Sequence, residues 1–542
     1  MIVTQRNLKI LRQIVQDLAQ RKIKNSREFL NLERKLSKKY KTKFLSNVEI
    51  YNFYKKLRLK RLVPKNNFLE KLKKRPVRSL SGVAVVSVLT KSWPCPGRCI
   101  YCPAEKGLPK SYLSGEPAVE RAKLLKFDPY LQVKKRIETL EKIGHPADKI
   151  ELIVIGGTWS YLPQKYQTWF ITRCFQAANA DKRRYQTLSE AQQINEKAKH
   201  RIIGITLETR PDYINPQEIL RMRKLGCTRV ELGIQAIDDK ILKTNQRGHG
   251  VKEIIEATKL LKDTGLKVCY HLMPGLLGSN PKKDFQMFQE IFSNPDFQPD
   301  LIKIYPCVVT KGSKIYKLWR QKKYKPYSNK QLIDLLVKIK SIIPPYVRII
   351  RIVRDIPSSK IEAGCKISNL REQIQKELKK RRLKCHCIRC REVKNLKLKM
   401  KNLKLNRIEY KASDGKEVFL SFEDIKNDKL VAFLRLRLPK NYSTIRANRR
   451  NSQNDIIYRY FPELKDAAII REIHTYGELV PIGQRNEAIQ HKNLGKKLIK
   501  EAEKIAKKFG YKKIAVISGI GARQYYRKLG YKLKKTYMVK KL

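Results

Sequence analysis

The spacing of hydrophobic positions changes along this chain, and the changes divide it into segments. In residues 1–75 apolar side chains recur three or four positions apart, as at Leu11, Ile14, Val15 and Leu18. That spacing places them on one face of an α-helix. It predicts a small N-terminal module of short amphipathic helices.

Segment 76–356 has a different pattern, in which short β-branched apolar runs alternate with amphipathic stretches. The runs with the length and composition of strands are GVAVVSVL, KIELIVIGG, RIIGITLETR, TRVELGIQA, KVCYHLMPG, LIKIYPCVV and VRIIRIVRD. Strands that alternate with helices form a parallel sheet, and this number of units predicts a complete or partial TIM-like barrel. Barrels of this kind carry their chemistry at the carboxyl ends of the strands.

The rest of the chain divides into a linker and a second α/β unit. Residues 357–407 are basic and contain the stretch CHCIRC, whereas residues 408–542 return to alternating strand and helix patterns. Within the latter, REIHTYGELVPI predicts a strand and a loop, and apolar residues at helical spacing follow between Leu498 and Ile505. The predicted fold class is therefore α/β with several domains.

Length and charge narrow the class of partner. At 542 residues the chain is too long for one ordinary core, and its 120 Lys and Arg against 49 Asp and Glu give a formal charge of +71. Such an excess repels itself unless a polyanion balances it. A compositional bias of the genome accounts for part of the lysine content, and the remainder favours nucleic acid. Basic residues concentrate in 1–80, with 24 against five acidic, and in 371–407, with 15 against three.

The cellular compartment follows from what the sequence lacks. The start MIVTQRNLKILRQ has no uninterrupted apolar segment like that of a signal peptide, and no run of about 18 apolar residues could cross a bilayer. We therefore expect a cytoplasmic protein with reduced thiols and no membrane partner. Clustered cysteines in that compartment usually bind metal or perform redox chemistry.

Three cysteines follow the first predicted strand, in the stretch PCPGRCIYCPAEKGLP. Cys95, Cys99 and Cys102 have the spacing CxxxCxxC in a loop rich in proline and glycine. Core packing would place cysteines singly among apolar neighbours, and a disulfide needs an oxidising compartment. Structural zinc takes four ligands, whereas a 4Fe-4S cluster held by three thiolates leaves one iron open for a substrate. The count of three favours the open cluster.

A second group of cysteines lies in KCHCIRCREV, at Cys385, Cys387 and Cys390. Three soft ligands within six residues predict a metal site, and zinc fits a structural site of a reduced protein. For the fourth ligand the sequence offers Cys365 first and His386 second. The alternative is a reduced loop without metal. The remaining cysteines are predicted core residues: Cys174, Cys227, Cys269 and Cys307.

In its context the first triad resembles that of radical S-adenosylmethionine (SAM) enzymes. There, three thiolates hold a 4Fe-4S cluster, the open iron binds SAM, and reduction of the cluster cleaves SAM to a 5′-deoxyadenosyl radical. The resemblance implies SAM contacts at successive strand ends: Gly156, Gly157, Glu208, Arg210, Glu231, Gln235, His271 and Met273. Glycines admit the ligand to the backbone, and a carboxylate and a guanidinium suit ribose hydroxyls and the SAM carboxylate. A surface ion pair is the alternative for Glu208 and Arg210.

The C-terminal unit resembles the GNAT acetyltransferase fold. In that fold an [RQ]xxGx[GA] turn at a helix start presents backbone N–H groups to the pyrophosphate of coenzyme A. Here the turn contains Gln490, Asn493 and Gly495, and Asn in place of the first glycine tolerates a left-handed backbone. Tyr525 and Tyr526 occur where GNAT enzymes place a tyrosine near the thioester sulfur. Packing of the last hairpin is the alternative for this tyrosine pair.

A radical SAM barrel and a GNAT unit in one chain resemble the catalytic subunit of Elongator, a family of tRNA uridine acetyltransferases. Segments such as YLSGEPAVERA, GITLETRPDY, GCTRVELGIQ and IAVISGIGARQYYRKLGY carry the resemblance over nearly the whole chain. Eukaryotic members space the first two cluster cysteines more widely. The spacing found here resembles stand-alone bacterial or archaeal forms, which leaves accessory Elongator subunits in doubt.

The resemblance implies modification of the wobble uridine in the anticodon loop of tRNA. The radical would abstract hydrogen from the acetyl methyl of acetyl-CoA, the carbon radical would add to uridine C5, and thioester hydrolysis would leave 5-carboxymethyluridine. A separate electron donor would reduce the cluster. The implied catalytic residues are Lys149, Tyr525 and Tyr526. The implied acetyl-CoA contacts are Lys149, Glu472, Ile473, His474, Thr475, Gln490, Leu494, Gly495, Lys496 and Tyr525.

Two rival functions follow from parts of the sequence. A protein lysine acetyltransferase with a structural cluster would explain the GNAT unit but not the SAM contacts at the strand ends. A non-catalytic RNA-binding scaffold would explain the charge but not the intact cysteine triad.

Overall fold

Three helices form the N-terminal part of the structure. This structure is a computed structural model, and it describes residues 5–66, 68–72, 82–180, 187–393, 402–440, 453–477 and 493–542. The helix bounds are α1 Gln5–Gln20, α2 Ser26–Lys39 and α3 Asn47–Leu59. Ile14, Val15 and Leu18 of α1 are buried in a hydrophobic cluster that these helices share. The predicted N-terminal helices are therefore confirmed.

The central part contains a seven-stranded sheet in which every neighbouring pair is parallel. The strands of this part are β1 Ala84–Leu89, β2 Lys149–Ile155, β3 Arg201–Thr209, β4 Cys227–Gln235, β5 Lys267–Leu272, β6 Leu301–Ile304, β7 Val309–Thr310, β8 Arg348–Arg351 and β9 Ile361–Ala363. The sheet order is β1-β2-β3-β4-β5-β6-β8, so each of the seven runs predicted as strands is one. Strands β7 and β9 form a small antiparallel pair.

Helices lie between these strands and complete the α/β pattern. Their bounds are α4 Pro117–Leu124, α5 Pro129–Lys142, α6 Gln164–Asn179, α7 Leu188–Asn195, α8 Pro216–Lys224, α9 Asp239–Thr244, α10 Val251–Asp263, α11 Pro281–Ser293, α12 Lys314–Arg320, α13 Asn329–Ser341, α14 Leu370–Lys380 and α15 Ile388–Arg391. Strands β1 and β8 each have one partner within the described residues, so the barrel is open. Of the two predicted forms, the partial barrel is the one observed.

The C-terminal part is a second, mostly antiparallel sheet of seven strands. Its elements are β10 Leu403–Ala412, β11 Gly415–Asp424, β12 Lys429–Leu438, α16 Gln453–Tyr460, β13 Ala467–Thr475, α17 Leu494–Lys508, β14 Lys513–Val516, α18 Arg523–Arg527, β15 Lys532–Lys534 and β16 Tyr537–Lys541. The order is β10-β11-β12-β13-β14-β16-β15, and only β13 and β14 pair in parallel. The segment boundary expected at 407/408 falls inside β10.

The two sheets share one continuous hydrophobic core and a buried ionic cluster. Asp300, just before β6, accepts hydrogen bonds from Arg471 of β13. Lys262 of α10 lies 3.9 Å from Asp300 and 3.8 Å from Glu417 of β11, and all four side chains are buried. The barrel and the second sheet therefore pack against each other as one body of structure.

Across the described segments, every helix falls short of the length and apolar character that crossing a bilayer would require.

Candidate active site

The cysteine triad lies in the loop that follows β1, at the carboxyl edge of the parallel sheet. Cationic groups surround this loop. Arg247, in the loop after α9, donates from Nη1 to the Cys99 sulfur at 3.3 Å, and the Lys110 ammonium donates to the Gly97 carbonyl at 2.7 Å. Positive charge around three thiols suits an anionic iron–sulfur cluster, whose thiolate ligands carry negative charge.

The thiol pKa values reflect the same surroundings. Burial raises the pKa of Cys99, but the charge and hydrogen bond of Arg247 outweigh it and leave that pKa below its ordinary value. Burial, followed by the charge of Cys99, raises the pKa of Cys102 to about 12. The free Cys102 thiol is therefore protonated. Because a metal-bound thiol is deprotonated outright, cluster binding would remove that proton.

Backbone space beside the triad is tight. A Cβ atom on Gly97 would lie 2.8 Å from Nη1 of Arg210, 3.5 Å from the Cys99 sulfur and 3.7 Å from the Cys95 sulfur. Glycine is therefore required between the first two cysteines if both sulfurs are to face the same side of the loop.

The glycine pair after β2 adopts a backbone that favours glycine. Gly156 has φ +141° and Gly157 has φ +93°. A Cβ atom on Gly156 would lie 2.0 Å from Oγ1 of Thr90, in the loop after β1. The two loops therefore approach closely beside the cysteine triad, where the sequence predicts a SAM contact.

Three other predicted SAM contacts meet on β3, β4 and β5: Glu208 and His271 lie near the carboxyl ends of β3 and β5, and Glu231 lies at the middle of β4. Nε2 of His271 lies 2.9 Å from the Glu231 carboxylate, and Nδ1 lies 3.5 Å from the Glu208 carboxylate. Glu231 is fully buried and also forms an ion pair with Lys303 of β6. Burial raises its pKa, but Lys303, His271 and Arg229 outweigh burial and hold it well below its ordinary value. Of the two carboxylates beside His271, Glu208 is more exposed than Glu231.

Arg210 and Gln235, two further predicted SAM contacts, have defined hydrogen-bond partners in the structure. The Arg210 guanidinium donates to Asp212 from Nε at 2.9 Å and from Nη2 at 2.8 Å, whereas its buried Nη1 has no hydrogen-bond partner among the described residues. That unpaired donor beside Gly97 is where an anionic ligand group would fit. Gln235 ends β4 with φ +74° and accepts a hydrogen bond at its carbonyl from the Met273 amide.

Sequence reasoning assigned no role to Arg229, Arg247 or Lys303, which are all buried in the barrel. The sequence contains a sign of each residue. Lys303 interrupts the apolar run LIKIYP, Arg229 interrupts TRVELGIQ, and Arg247 lies in the short polar segment NQRGH. A charged residue inside an apolar strand needs a buried partner, which Glu231 provides to Lys303.

A cavity of about 990 Å³ opens at the other end of the barrel, between the amino ends of its strands and the second sheet. The expected acetyl-CoA contacts that line it are Lys149, Glu472, Ile473, His474, Thr475 and Tyr525, and Tyr526, expected as a catalytic residue, lines it too. Burial lowers the pKa of Lys149. Six cationic side chains also line it: Arg136, Arg201, Arg229, Lys267, Arg348 and Arg351. The last four are paired with carboxylates of the same wall, Glu151, Glu472, Glu392 and Asp355.

Glu472 is held at the junction of the two sheets. Its carboxylate accepts from Arg435 Nε at 2.9 Å and lies 3.4 Å from the Lys267 ammonium. Burial raises its pKa, but Lys267 and Arg435 outweigh burial and lower it to about 2. Glu472 is therefore ionised and paired with two cations, and these pairs hold this part of the cavity wall in position.

Helix α17 begins beside this cavity. Asn493, before its first residue, has φ +57°, which is the left-handed conformation anticipated for an asparagine that replaces glycine. A Cβ atom on Gly495 would lie 2.9 Å from the Tyr525 hydroxyl and 3.6 Å from Ile473. Leu494 is buried and Lys496 is exposed. Gln490 lies outside the described residues.

The tyrosine pair divides into an exposed and a buried ring. Tyr525 is 39% exposed, and burial of its hydroxyl raises its pKa to about 12. Tyr526 is buried and packs against Tyr531 at 5.9 Å between ring centroids. Both line the cavity, but the hydroxyl of Tyr525 is the one that lies against the start of α17.

The second cysteine group is compact. The sulfurs of Cys385, Cys387 and Cys390 all lie within 4.8 Å of one another, and Cys365 and His386 are not members of this group. A tetrahedral zinc with bonds of about 2.3 Å separates its sulfur ligands by about 3.8 Å. The Lys340 ammonium lies 3.6 Å from the Cys390 sulfur. The three sulfurs therefore lie close enough together to be candidate ligands of one metal ion.

Models of known protein families match most of the chain. The radical SAM superfamily matches residues 95–290, the radical SAM C-terminal domain matches 299–380, and the GNAT acetyltransferase family matches 397–531. The two radical SAM matches together cover β2 to β9, and the GNAT match covers β10 to β14 of the second sheet.

Similar proteins combine the same two domains. The chain is 48% identical over 513 residues to a tRNA uridine(34) acetyltransferase of Methanocaldococcus jannaschii. The aligned region covers 92% of this chain and 90% of that protein. It is 38% identical to human Elongator complex protein 3, over 88% of this chain and 87% of that protein. A solved structure of archaeal Methanocaldococcus infernus Elp3 with an N-terminal deletion matches with TM-score 0.72 and 46% identity, over 85% of this chain and 100% of that one. The chain belongs to the tRNA uridine(34) acetyltransferase and Elongator protein 3 family, whose members join a radical SAM barrel to a GNAT domain.

Proposed function

We propose that this enzyme modifies C5 of the wobble uridine in tRNA, with SAM and acetyl-CoA as its small-molecule substrates and 5-carboxymethyluridine as its product. The observation that supports the proposal is that single strands of the barrel carry both residues that line the cavity and residues of the predicted SAM site. Strand β2 begins at Lys149, in the cavity beside the second sheet, and ends just before Gly156, beside the cysteine triad. At about 3.3 Å per residue, the two ends of this strand are about 20 Å apart.

Strands β4 and β5 support the same conclusion. Successive side chains of a strand point to opposite faces, so residues two apart share a face. Arg229 and Glu231 therefore share a face of β4, and Lys267 and His271 share a face of β5. On each strand one residue lines the cavity and the other belongs to the cluster of groups near the SAM site. An acetyl group entering from one end and a radical formed at the other can meet inside the barrel.

The cysteine triad fits a 4Fe-4S cluster, to be held by Cys95, Cys99 and Cys102. Together with SAM and an external electron donor, such a cluster supplies a hydrogen-abstracting radical. The protein side chains do the positioning. Arg247 neutralises charge at Cys99, and the unpaired Nη1 of Arg210 is available to an anionic group of the ligand.

The acetyl-CoA site has its own set of roles. Backbone amides at Gly495 face the coenzyme pyrophosphate, as the start of a helix favours. Lys149, with its pKa lowered by burial, and the Tyr525 hydroxyl approach the thioester. Ile473, His474 and Thr475 of β13 form the wall along which the acyl arm lies.

RNA binding is assigned to residues 1–75 and to the basic edge of the barrel. The helices α1–α3 carry a large excess of Lys and Arg, and phosphate neutralisation is the main source of affinity for RNA. The target base leaves the stacked anticodon loop to enter the barrel, as base-modifying enzymes generally require. Reduced thiols and a tRNA substrate place the enzyme in the cytoplasm.

Zinc is assigned to Cys385, Cys387 and Cys390, with its fourth ligand left open. Its role is structural, because the group lies between the barrel and the second sheet and Cys385 and Cys387 are buried.

The decisive experiment is anaerobic reconstitution with iron, sulfide, SAM, a chemical reductant, acetyl-CoA and unmodified tRNA, followed by mass spectrometry of the nucleosides. 5-Carboxymethyluridine is expected only in the complete mixture. A lysine peptide is assayed in parallel. Acetylation of that peptide without any change in uridine would replace the proposal with a protein acetyltransferase.

A further inference from the structure

Aromatic side chains line the rim of the barrel beside the cysteine triad. Trp93 is 45% exposed in the loop after β1, Tyr161 is 42% exposed in the loop after β2, and Tyr213 is half-buried in the loop after β3. These strands are neighbours in the sheet, so the three loops are neighbours at its carboxyl edge.

Direct contacts tie these loops together. The rings of Tyr161 and Tyr213 pack edge to face with centroids 6.0 Å apart. Tyr213 also lies near the triad, because Arg210, three positions before it in the chain, has its Nη1 beside Gly97 of the cysteine loop. Trp93 precedes Cys95 by two positions in the chain.

The aromatic row extends onto α6. The amide of Lys91 donates to the Tyr166 hydroxyl at 3.1 Å, which fixes the loop of Trp93 against that helix. The ring of Trp169, 41% exposed, lies 5.6 Å from the Tyr166 ring. Large exposed rings that occur singly are normal on protein surfaces, but a row of them around a catalytic mouth is a mark of binding.

The charge around this row identifies the partner. Segments 90–100 and 156–170 contain Lys91, Arg98 and Lys165 and no acidic residue, and all three cations are exposed. In segment 210–213 the acidic side chain, Asp212, is paired with Arg210. Exposed aromatic rings interleaved with cations are the means by which proteins bind single-stranded nucleic acid, through base stacking and phosphate pairing.

We propose that Trp93, Tyr161 and Tyr213 form a base-stacking platform that holds unpaired RNA bases next to the one entering the barrel. The platform rests on the proposed function, and it names the form of substrate that the site accepts. Bases on either side of the target lie against these rings, and the target base turns inward past the triad. The platform stacks on any base face, so the enzyme selects an unpaired loop at this point without reading a particular sequence.

The test measures binding of two RNAs to the full-length, cluster-loaded enzyme: an anticodon stem–loop, and a blunt duplex of the same stem. Trp93→Ala and Tyr161→Ala should each weaken binding of the stem–loop about fivefold or more and leave duplex binding unchanged. Trp93→Phe should retain most of the affinity, because a ring remains. Phe509→Ala removes a comparably exposed ring from the second domain and serves as the matched control.

Salt separates stacking from charge. Trp93→Ala should lower the stem–loop affinity by the same factor at each salt concentration, whereas Lys91→Ala should reduce the slope of log affinity against log salt. Iron content and acetyl-CoA binding, measured on each variant, report on folding.

Equal losses for stem–loop and duplex, or no loss for either, would overturn the platform while leaving the proposed function intact. Loss of the cluster in Tyr161→Ala would show a structural role for that ring and would equally overturn it. Failure of the wild-type enzyme to alter uridine in the stem–loop would instead count against the proposed function.

Discussion

Arg471 of the second sheet and Asp300 of the barrel form a fully buried ion pair, with Nη2 2.5 Å from Oδ2. Arg471 also donates to the Leu266 carbonyl and to Glu417. The cavity proposed to bind acetyl-CoA lies between these two sheets, so the pair helps to hold its opposite walls together. Removal of Arg471 would leave the buried Asp300 with only the longer contacts of Lys262 at 3.9 Å and Arg435 at 3.7 Å, which is far costlier than loss of an exposed pair.

Arg471→Ala should therefore lower the free energy of unfolding by about 3–5 kcal/mol. Denaturant unfolding, followed by circular dichroism, measures the change. Lys199→Ala removes an exposed pair with Glu141 and should leave the unfolding midpoint almost unchanged. A small effect at Arg471 would mean that water or another side chain replaces the guanidinium.

Acid should destabilise the junction through Glu472. Its pKa is about 2 in the folded chain against an ordinary 4.5, because Lys267 and Arg435 outweigh burial. A lowered folded pKa contributes stability that is complete above pH about 4.5 and is lost as pH falls toward about 2. The loss should reach about 3 kcal/mol across that window. Glu472→Gln should flatten this part of the stability profile, and an unchanged profile would show that the carboxylate does not bear these ion pairs.

The fold could be predicted from the sequence because its patterns are local. Each run of β-branched residues became a strand, since alternation and helix-forming stretches repeat over short distances. Whether the barrel closes depends on β1 and β8, which are far apart in sequence. No local pattern reports on that pairing.

For the same reason, the sequence predicted the site residues at strand ends but missed residues that come from distant positions. Glu208 and His271 lie near the carboxyl ends of predicted strands, so their meeting followed from parallel topology. Arg247 lies after a helix, and its hydrogen bond to Cys99 joins residues that are 148 positions apart. The same limit applies to Tyr525 and Tyr526, whose different exposures depend on packing against α17.

The close approach of Gly495 to Tyr525 gives a test of the acetyl-CoA site. Gly495→Ala places a methyl group 2.9 Å from the tyrosine hydroxyl and should weaken acetyl-CoA binding, measured by calorimetry, by about tenfold. The double variant with Tyr525→Phe removes the clashing oxygen and should recover part of that loss. If the double variant binds no better than Gly495→Ala, crowding by the hydroxyl is not the cause. In either variant the cluster should remain intact.

The compact thiol group predicts one structural metal. Replacing Cys385, Cys387 and Cys390 with Ser should release about one zinc per chain and lower stability by several kcal/mol, because metal binding free energy is folding free energy. Elemental analysis of protein purified without added metal measures the zinc. Cys174→Ser, at a buried cysteine of the barrel core, is the matched control and should leave the zinc content unchanged. Wild-type protein free of zinc would contradict the assignment.

The hydrogen bond from Arg247 to Cys99 should tune the cluster without being needed to hold it. A cationic donor on a cluster sulfur stabilises the more negative, reduced state, so Arg247→Gln should make the reduction potential more negative. Cys99→Ala should instead remove the iron itself, because three thiolates are the minimum for the open cluster. Potentiometric titration and iron content distinguish the two effects.

With both variants acetyl-CoA binding should persist, since its proposed contacts lie around Lys149 and Gly495. An unaltered potential in Arg247→Gln would show that this hydrogen bond does not reach the cluster, and uridine modification by Cys99→Ala would rule out the radical mechanism.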